Sequence, residues 1–288
     1  MSCIFHKWNG CKCSKCGKVR DEGHKWNGCK CSICGKIRSE GHNWNGCKCS
    51  ICGKTRDEGH EWDLCKGVCT ICGKTRVPEH DWDGDVCRRC GMKKPDVGDR
   101  IFFGHYYLWN DRDKSELEWT VLDKRENQFL IITKNGIENI PYHNVETDIE
   151  WKDCSLRKWL NGRFLQVAFS DAERARIVSG TIRNNGNQQY GIEAQADTED
   201  SVFLLSLEEA KALFANDEER KSCPTPYAKK KGAFASRMEQ LGAWWLRTPG
   251  AYLKYADFVP TSGNVDLPFG RNVDDKENMV RPVMWITM

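Results

Sequence analysis

The chain has 288 residues, 39% of them hydrophobic, and 44 Lys and Arg against 41 Asp and Glu give a net charge of +3. That length suits two domains, and no apolar run approaches the roughly 20 residues that a membrane-spanning helix needs. The opening MSCIFHKWNG lacks a basic stretch followed by an apolar one, so no secretory signal is expected and a cytoplasmic location is. Twelve Trp, eleven Phe and seven Tyr argue against disorder.

Composition divides the chain. Of the 17 Cys, 15 fall within residues 1–94, leaving Cys154 and Cys223 beyond. Residues 1–94 carry a charge of +8 and the remainder −5. Two modules are expected, 1–94 and 96–288, joined near Lys93-Lys94-Pro95-Asp96.

The first module is a repeat aligned on His-x-Trp. Its segments are HKWNGCKCSKCGKVRDEG from residue 6, HKWNGCKCSICGKIRSEG from 24, HNWNGCKCSICGKTRDEG from 42, HEWDLCKGVCTICGKTRVPE from 60 and HDWDGDVCRRCGMKK from 80. An 18-residue unit is too short for the helical repeats that build solenoids. With almost no aliphatic residues it cannot fold by hydrophobic burial. Each complete unit offers one His and three Cys, a full tetrahedral set for structural zinc. In the Cys-x2-Cys-Gly step a tight turn aims backbone N–H groups at thiolates, with Gly17, Gly35, Gly53, Gly73 and Gly91 supplying positive φ. A disulfide framework would need an oxidising compartment, and fifteen Cys cannot all pair internally.

The candidate ligands are His6, Cys11, Cys13, Cys16, His24, Cys29, Cys31, Cys34, His42, Cys47, Cys49, Cys52, His60, Cys65, Cys69, Cys72, His80, Asp85, Cys87 and Cys90. Two groupings fit. Across units the sets are Cys13, Cys16, His24, Cys29, then Cys31, Cys34, His42, Cys47, then Cys49, Cys52, His60, Cys65, then Cys69, Cys72, His80, Asp85. This spacing looks like a stretched form of the retroviral-type CCHC knuckle. Within units, His6, Cys11, Cys13 and Cys16 share an ion and Cys3 is left over. The cross-unit grouping is slightly favoured; either predicts four or five zinc ions.

Lys and Arg follow each knuckle, and one Trp per unit (Trp8, Trp26, Trp44, Trp62, Trp82) could stack on nucleic-acid bases. Alternatively each Trp covers a metal site. A Zn(Cys)3His centre carries a negative charge, so the module's net falls to about +3 or +4, modest for gripping phosphates. A scaffold or protein-contact role is favoured over nucleic acid.

The second module reads as α+β. Residues 97–141 alternate as strands, with a turn at Glu126-Asn127-Gln128. An amphipathic helical stretch runs from Ser155 to Phe169, and Ser170–Glu173 and Ser206–Glu209 are capping boxes. Val202–Leu205 is expected as a short buried strand, and Thr225-Pro226 as a helix start. From Gly242 short strands alternate with Gly, Asn, Asp and Pro, including a Ser262-Gly263-Asn264 turn.

Several of these segments carry a resemblance: Gly98-Asp99-Arg100-Ile101, Glu118-Trp119, Trp151-x2-Cys154-Ser155-Leu156-Arg157-x-Trp159-Leu160-Asn161, Phe169-Ser170, Val202–Ser206, Ala243-Trp244-Trp245-Leu246-Arg247-Thr248-Pro249-Gly250 and Val280-Arg281-Pro282-Val283-x-Trp285-Ile286. Residues 96–287 resemble a bacterial domain family that is similar to C-type-lectin-fold proteins, including the variable proteins of diversity-generating retroelements and formylglycine-generating-enzyme-like domains. The resemblance implies helices beside a small sheet and a long irregular segment exposing a binding surface. It does not imply sugar or calcium binding. It also implies that Trp244, Trp245, Arg247, Arg281 and Trp285 are fixed structural elements, with the Arg residues in a buried hydrogen-bonding network.

Formylglycine-generating relatives use neighbouring cysteines, whereas this module has only Cys154 and Cys223, far apart. Cys154 suits a buried structural thiol, and neither His105 nor His143 sits in a catalytic pattern. Asn184-Asn185-Gly186-Asn187 reads as polar turn chemistry rather than a phosphate loop. A non-enzymatic binding protein is expected. Its ligand surface would use Tyr252, Lys254, Tyr255, Asp266, Phe269, Arg271 and Asn272 on irregular backbone between 250 and 279, with no membrane involved. A nucleic-acid-binding array is the first alternative and a formylglycine-generating-type oxidoreductase the second.

Overall fold

In each of the first three repeats the chain reverses at an Asn-Gly step. Trp8–Asn9 pairs antiparallel with Lys12–Cys13, placing Trp8 opposite Cys13. Gly10 has φ +58 and the following Cys11 stays negative, the pattern of a type II′ turn, which calls for glycine first. Trp26–Asn27 with Lys30–Cys31, and Trp44–Asn45 with Lys48–Cys49, repeat this hairpin. In the fourth repeat Trp62–Asp63 pairs with Val68–Cys69 across a loop lengthened by Lys66-Gly67, where Gly67 has φ +63. After each hairpin the Cys-x2-Cys-Gly step folds back: the Gly17 N–H donates to the Cys13 carbonyl and the Cys13 N–H to the Lys18 carbonyl, both at 2.9 Å. Lys12 bridges to Val19, adding a third short edge.

The computed structural model describes residues 5–266 and 269–288, and the chain forms two units, Met1–His80 and Asp81–Met288. The fifth repeat, grouped by its sequence with the metal-type module, lies in the second unit, where Trp82–Asp83 pairs with Val86–Cys87. Within the first unit the turn glycine of each of the first three repeats meets the backbone at the end of its own repeat and an Ile side chain of the next. A Cβ on Gly10 would stand 2.7 Å from the Gly23 carbonyl oxygen and 2.5 Å from Ile33 Cδ1, and Gly28 and Gly46 meet Gly41/Ile51 and Gly59/Ile71 the same way.

The second unit is built from strands and short helices, an α+β class. Its strands are β1 Arg100–Tyr107, β2 Lys114–Arg125, β3 Gln128–Thr133, β4 Ile177–Val178, β5 Gly180–Asn184, β6 Gln195–Asp200, β7 Trp244–Pro249, β8 Tyr255–Val259, β9 Arg271–Asn272 and β10 Val283–Thr287. A five-stranded antiparallel sheet has the order β1-β2-β3-β10-β4; β5-β6 and β7-β8-β9 form two smaller sheets. The β2–β3 turn falls at Glu126, whose φ is +50. The helical stretch after Ser155 comprises α1 Ser155–Trp159, a π turn over Leu160–Phe164, and α2 Leu165–Ala168. Both capping boxes form, starting α3 Asp171–Arg174 and α4 Leu207–Ala212. Asn216 caps α5 Asp217–Arg220, and Thr225 caps α6 Pro226–Lys230, with Pro226 in its first turn. Val202–Leu205 is buried as expected, but only Phe203 bridges to Val283, so the segment is not a strand.

Trp119, Trp151, Trp244 and Trp245 are fully buried. Each indole N–H finds an acceptor: the Phe103 carbonyl at 2.7 Å, Asp200 Oδ2 at 2.9 Å, the Arg220 carbonyl at 3.0 Å and the Ile140 carbonyl at 3.2 Å. Arg247 donates to the Leu204 and Arg183 carbonyls and to Glu209, and Arg281 to the Thr133 carbonyl, forming buried guanidinium networks. Trp285 is only half-buried and carries the Arg125 guanidinium 4.6 Å from its ring.

Candidate metal centres and recognition surface

Three Cys3His quartets form in the first unit: Cys11, His24, Cys31, Cys34; then Cys29, His42, Cys49, Cys52; then Cys47, His60, Cys69, Cys72. Within each, all ligand atoms lie within 4.8 Å of one another. The hairpin buries the second Cys of a repeat, the knuckle turn brings the third beside it, and the His two residues before Trp approaches from the strand opposite. The fourth ligand is the first Cys of the preceding repeat, which follows a turn glycine packed against the next repeat's Ile33, Ile51 or Ile71. This grouping differs from both sequence groupings. The Cys-x-Cys pair is divided because Cys11 sits in the hairpin turn and Cys13 on the strand after it, and the two join neighbouring clusters.

The distances fit a tetrahedral metal. Sulfur–sulfur separations across repeats are 3.6 Å for Cys11–Cys31, 3.6 Å for Cys29–Cys49 and 3.5 Å for Cys47–Cys69. The His Nδ1 to knuckle Sγ separations are 3.4 Å at His24–Cys34, 3.4 Å at His42–Cys52 and 3.5 Å at His60–Cys72. Metal–ligand bonds of about 2.3 Å to sulfur and 2.0 Å to nitrogen imply tetrahedral edges near 3.8 and 3.5 Å. The thiols are also polarised unequally. Burial works against charge on Cys31, yet the Cys34 N–H, His24 and the Ile33 N–H draw its pKa down to about 5. Burial, together with Cys34 and Cys31, pushes the donated Cys11 up to about 12. Cys49 and Cys69 follow Cys31 downward, as Cys29 and Cys47 follow Cys11 upward. A soft divalent ion entering such a quartet displaces the remaining thiol protons.

At the start of the array His6, Cys13 and Cys16 come together, with His6 Nδ1 3.3 Å from Cys16 Sγ. Cys3, left over by the within-unit grouping, lies outside the described residues. Cys11 therefore does not complete its own repeat's set. In the sequence the same order of Cys and His continues, two residues longer before the His, through Cys65, His80, Cys87 and Cys90; Cys87 is buried in its hairpin and Cys90 is exposed. Asp85, expected as a ligand, joins no such cluster among the described residues. It occupies the position of Cys11, as the matching backbone bond shows: Lys94 N–H donates to the Asp85 carbonyl at 2.8 Å, as Arg20 N–H does to Cys11 at 2.9 Å. In the first three repeats that position serves the next repeat, and the fifth has none after it.

The tryptophans pack within their repeats. The guanidinium carbons of Arg20, Arg38, Arg56 and Arg76 stand 4.7–4.9 Å from the rings of Trp8, Trp26, Trp44 and Trp62. His6, His24, His42 and His60 lie against the same rings at 4.9–5.0 Å. Each indole thus braces an imidazole of a Cys/His cluster, which consumes ring surface a base would stack on.

In the second unit the expected ligand residues separate into two groups. Tyr252, Tyr255 and Phe269 join Tyr190 in a chain of edge and tilted ring contacts at 5.6–6.1 Å. Tyr252 and Phe269 are more than half exposed. Lys254 lies beside this chain, 5.6 Å from the Tyr255 ring and paired to Glu146 at 2.9 Å. Asn272 is exposed and faces Tyr255 across the β8–β9 ladder. Asp266 instead pairs with Lys211 at 3.6 Å. Arg271 donates to Asn278 and Glu277 and covers the Phe258 ring, so it holds the loop that follows β9.

Residues 126–288 match the family described as Domain of unknown function (DUF6273). The chain belongs to this family. The DUF6273 match begins in the β2–β3 turn and includes the aromatic chain and the buried tryptophans of β7, while the metal-type repeats precede it. Neither curated proteins nor solved structures give a match. Inside the DUF6273 domain Cys154 is fully buried, its thiol pushed up to about 12 by burial, and its sulfur accepts the Arg157 N–H at 3.3 Å as a cap for α1. His143 Nδ1 lies 3.1 Å from Ser155 Oγ and 3.3 Å from Ser155 N, a contact that fixes the start of the same helix.

One feature escaped sequence reasoning. The segment read as polar turn chemistry, Asn184–Asn187, lines a cavity of about 150 Å³ together with Gln195 from β6 and Arg247 and Thr248 from β7. Its signal was the amide density of NNGNQQ, visible in the chain but unplaced without the fold.

Proposed function

We propose that this is a non-enzymatic binding protein. Zinc-stabilised repeats, one ion per repeat and four or five in all, carry a C-type-lectin-like domain that recognises a protein or small ligand through residues 250–279. The zinc assignment rests on the three-thiolate, one-imidazole donor set and its tetrahedral spacing. Recognition rests above all on the exposed aromatic chain Tyr252–Tyr255–Phe269–Tyr190: aromatic anchors on loops held by a rigid core concentrate binding energy.

The test is a peptide-display selection against the intact, zinc-loaded chain, scored against a Y252A/F269A variant. Clones bound by the parent and lost by the variant support the reading, and clones that bind both equally overturn it. Elemental analysis of the same preparation should give four or five zinc per chain; a value near zero removes the metal assignment. Salt-sensitive retention on mixed nucleic acid would replace protein contact by the array with polyanion contact.

A further inference from the structure

Three arginines are buried among the described residues, and two of them are neutralised. Arg220 pairs with Asp217, and Arg247 with Glu209 at 2.5 Å. Arg281 is 3% exposed and pairs with no carboxylate among the described residues. Its guanidinium lies 4.7 Å from the centre of the Trp244 ring. Nε donates to the Thr133 carbonyl at 3.0 Å and Nη1 to the Arg220 carbonyl at 3.4 Å. Nη2 makes no hydrogen bond among the described residues, yet it is not sealed off as Arg247 Nε is. Burial alone acts on the group, drawing its pKa down to about 9. A buried positive charge without a counter-charge is costly, and folded proteins rarely keep one.

Arg281 lines a cavity of about 430 Å³ between β2, the segment before β1 and the residues that follow α4. The other walls are mainly hydrocarbon, from Val97, Val121, Leu122, Leu213 and Phe214. This volume falls among small-molecule sites, which span about 300–1,000 Å³ and typically combine apolar walls with a few placed polar groups. Glu219 also lines the cavity, but its Oε2 accepts the Ala215 N–H at 3.0 Å and forms no ion pair with Arg281. The charges select the ligand. A cation would meet the guanidinium, and a neutral molecule would leave it uncompensated. A phosphate monoester, with nearly two negative charges at neutral pH, would be opposed by Glu219. A carboxylate brings one charge and two acceptor oxygens that suit the open edge of a guanidinium. A hydrocarbon body attached to it would cover the apolar walls.

We infer that this cavity binds an apolar monocarboxylate, its carboxylate on Arg281 and its hydrocarbon body against Leu122, Leu213 and Phe214. None of the lining residues belongs to the 250–279 surface, so this inference stands apart from the recognition proposed there. The experiment is a titration of the intact, zinc-loaded chain followed by amide NMR. The probes are octanoate and 3-phenylpropionate, with octanol and octyl phosphate as comparisons. At least one carboxylate should bind saturably below about 1 mM, with shifts centred on Gly98, Leu213 and Phe214. Octanoate should bind about tenfold or more tightly than octanol, the effect of hydrogen bonds to a charged group. R281K keeps the charge but loses the planar fork, and should weaken octanoate about tenfold. Should R281K fail to fold, the octanoate–octanol ratio on the parent chain decides. Y252A/F269A should bind octanoate as the parent does. The inference is overturned by no saturable carboxylate binding, by octanol binding as well as octanoate, or by preference for octyl phosphate. Shifts centred on residues 250–279, or a folded R281K that binds octanoate undiminished, would overturn it equally.

Discussion

Among the described residues of Met1–His80, every buried apolar side chain is a cysteine: Cys11, Cys13, Cys29, Cys31, Cys47, Cys49 and Cys69. In Asp81–Met288 the buried set is led by Trp119, Trp151, Trp244, Trp245, Phe129, Phe164 and Ile131. The second list describes a domain held by removal of apolar surface from water. The first describes repeats whose interiors are clusters of Cys and His that could hold a metal ion. One chain therefore contains two folding problems with separate controls.

The widest contrast should come from metal removal. Chelation should abolish the structure of residues 5–80, read by loss of amide-exchange protection in the hairpins, and leave β1–β3 and β10 protected. Persistence of the hairpins without metal would break the comparison. The next effect tests the grouping. C29S should cost one ion and loosen the third repeat, around His42 and Cys52, while the second repeat's own knuckle keeps its ion. Loss at His24 and Cys34 instead would restore the within-unit grouping.

The opposite perturbation is I131A, at a fully buried position in β3. It should lower the stability of the second unit by about 3 kcal/mol and leave zinc content unchanged. Asp257 in β8 supplies a pH test. It is 2% exposed with Oδ2 unpartnered, and burial raises its pKa to about 7 despite the Phe258 N–H and Lys211. An unfolded aspartate loses its proton near pH 4, whereas the folded one keeps it to about 7. The unfolded state therefore binds fewer protons between those values, and stability should fall as pH rises through that window, by a few kcal/mol at most. D257N should remove the slope in exchange protection of β8. The smallest effect should be R38A, which frees one face of Trp26: below about 1 kcal/mol in the second repeat, with the metal retained.

Much of this was legible. The repeat, the donor set, the capping boxes at Ser170 and Ser206 and the turn at Glu126 follow from local chemistry that needs no partner from afar. The assignment of ligands to centres was not legible, because Cys11 and Cys13 are adjacent in spacing yet belong to different centres, a consequence of hairpin pairing. Asp85 was misread for the same reason. Asp266 and Arg271 looked like contact residues by type and are engaged by Lys211 and by the 275–278 loop, pairings that only tertiary structure reveals. The cavity amides were visible as composition and invisible as a site.

Because each of the first three repeats lends its first cysteine to the next repeat's cluster, the array has a direction and a grammar. A duplicated 18-residue cassette placed between two of the first three copies would offer the same donor set as its neighbours. Only the two ends need special spelling, and at the far end Asp85 writes the full stop. During synthesis the rule also sets an order: a Cys3His cluster can assemble only after the following copy has emerged.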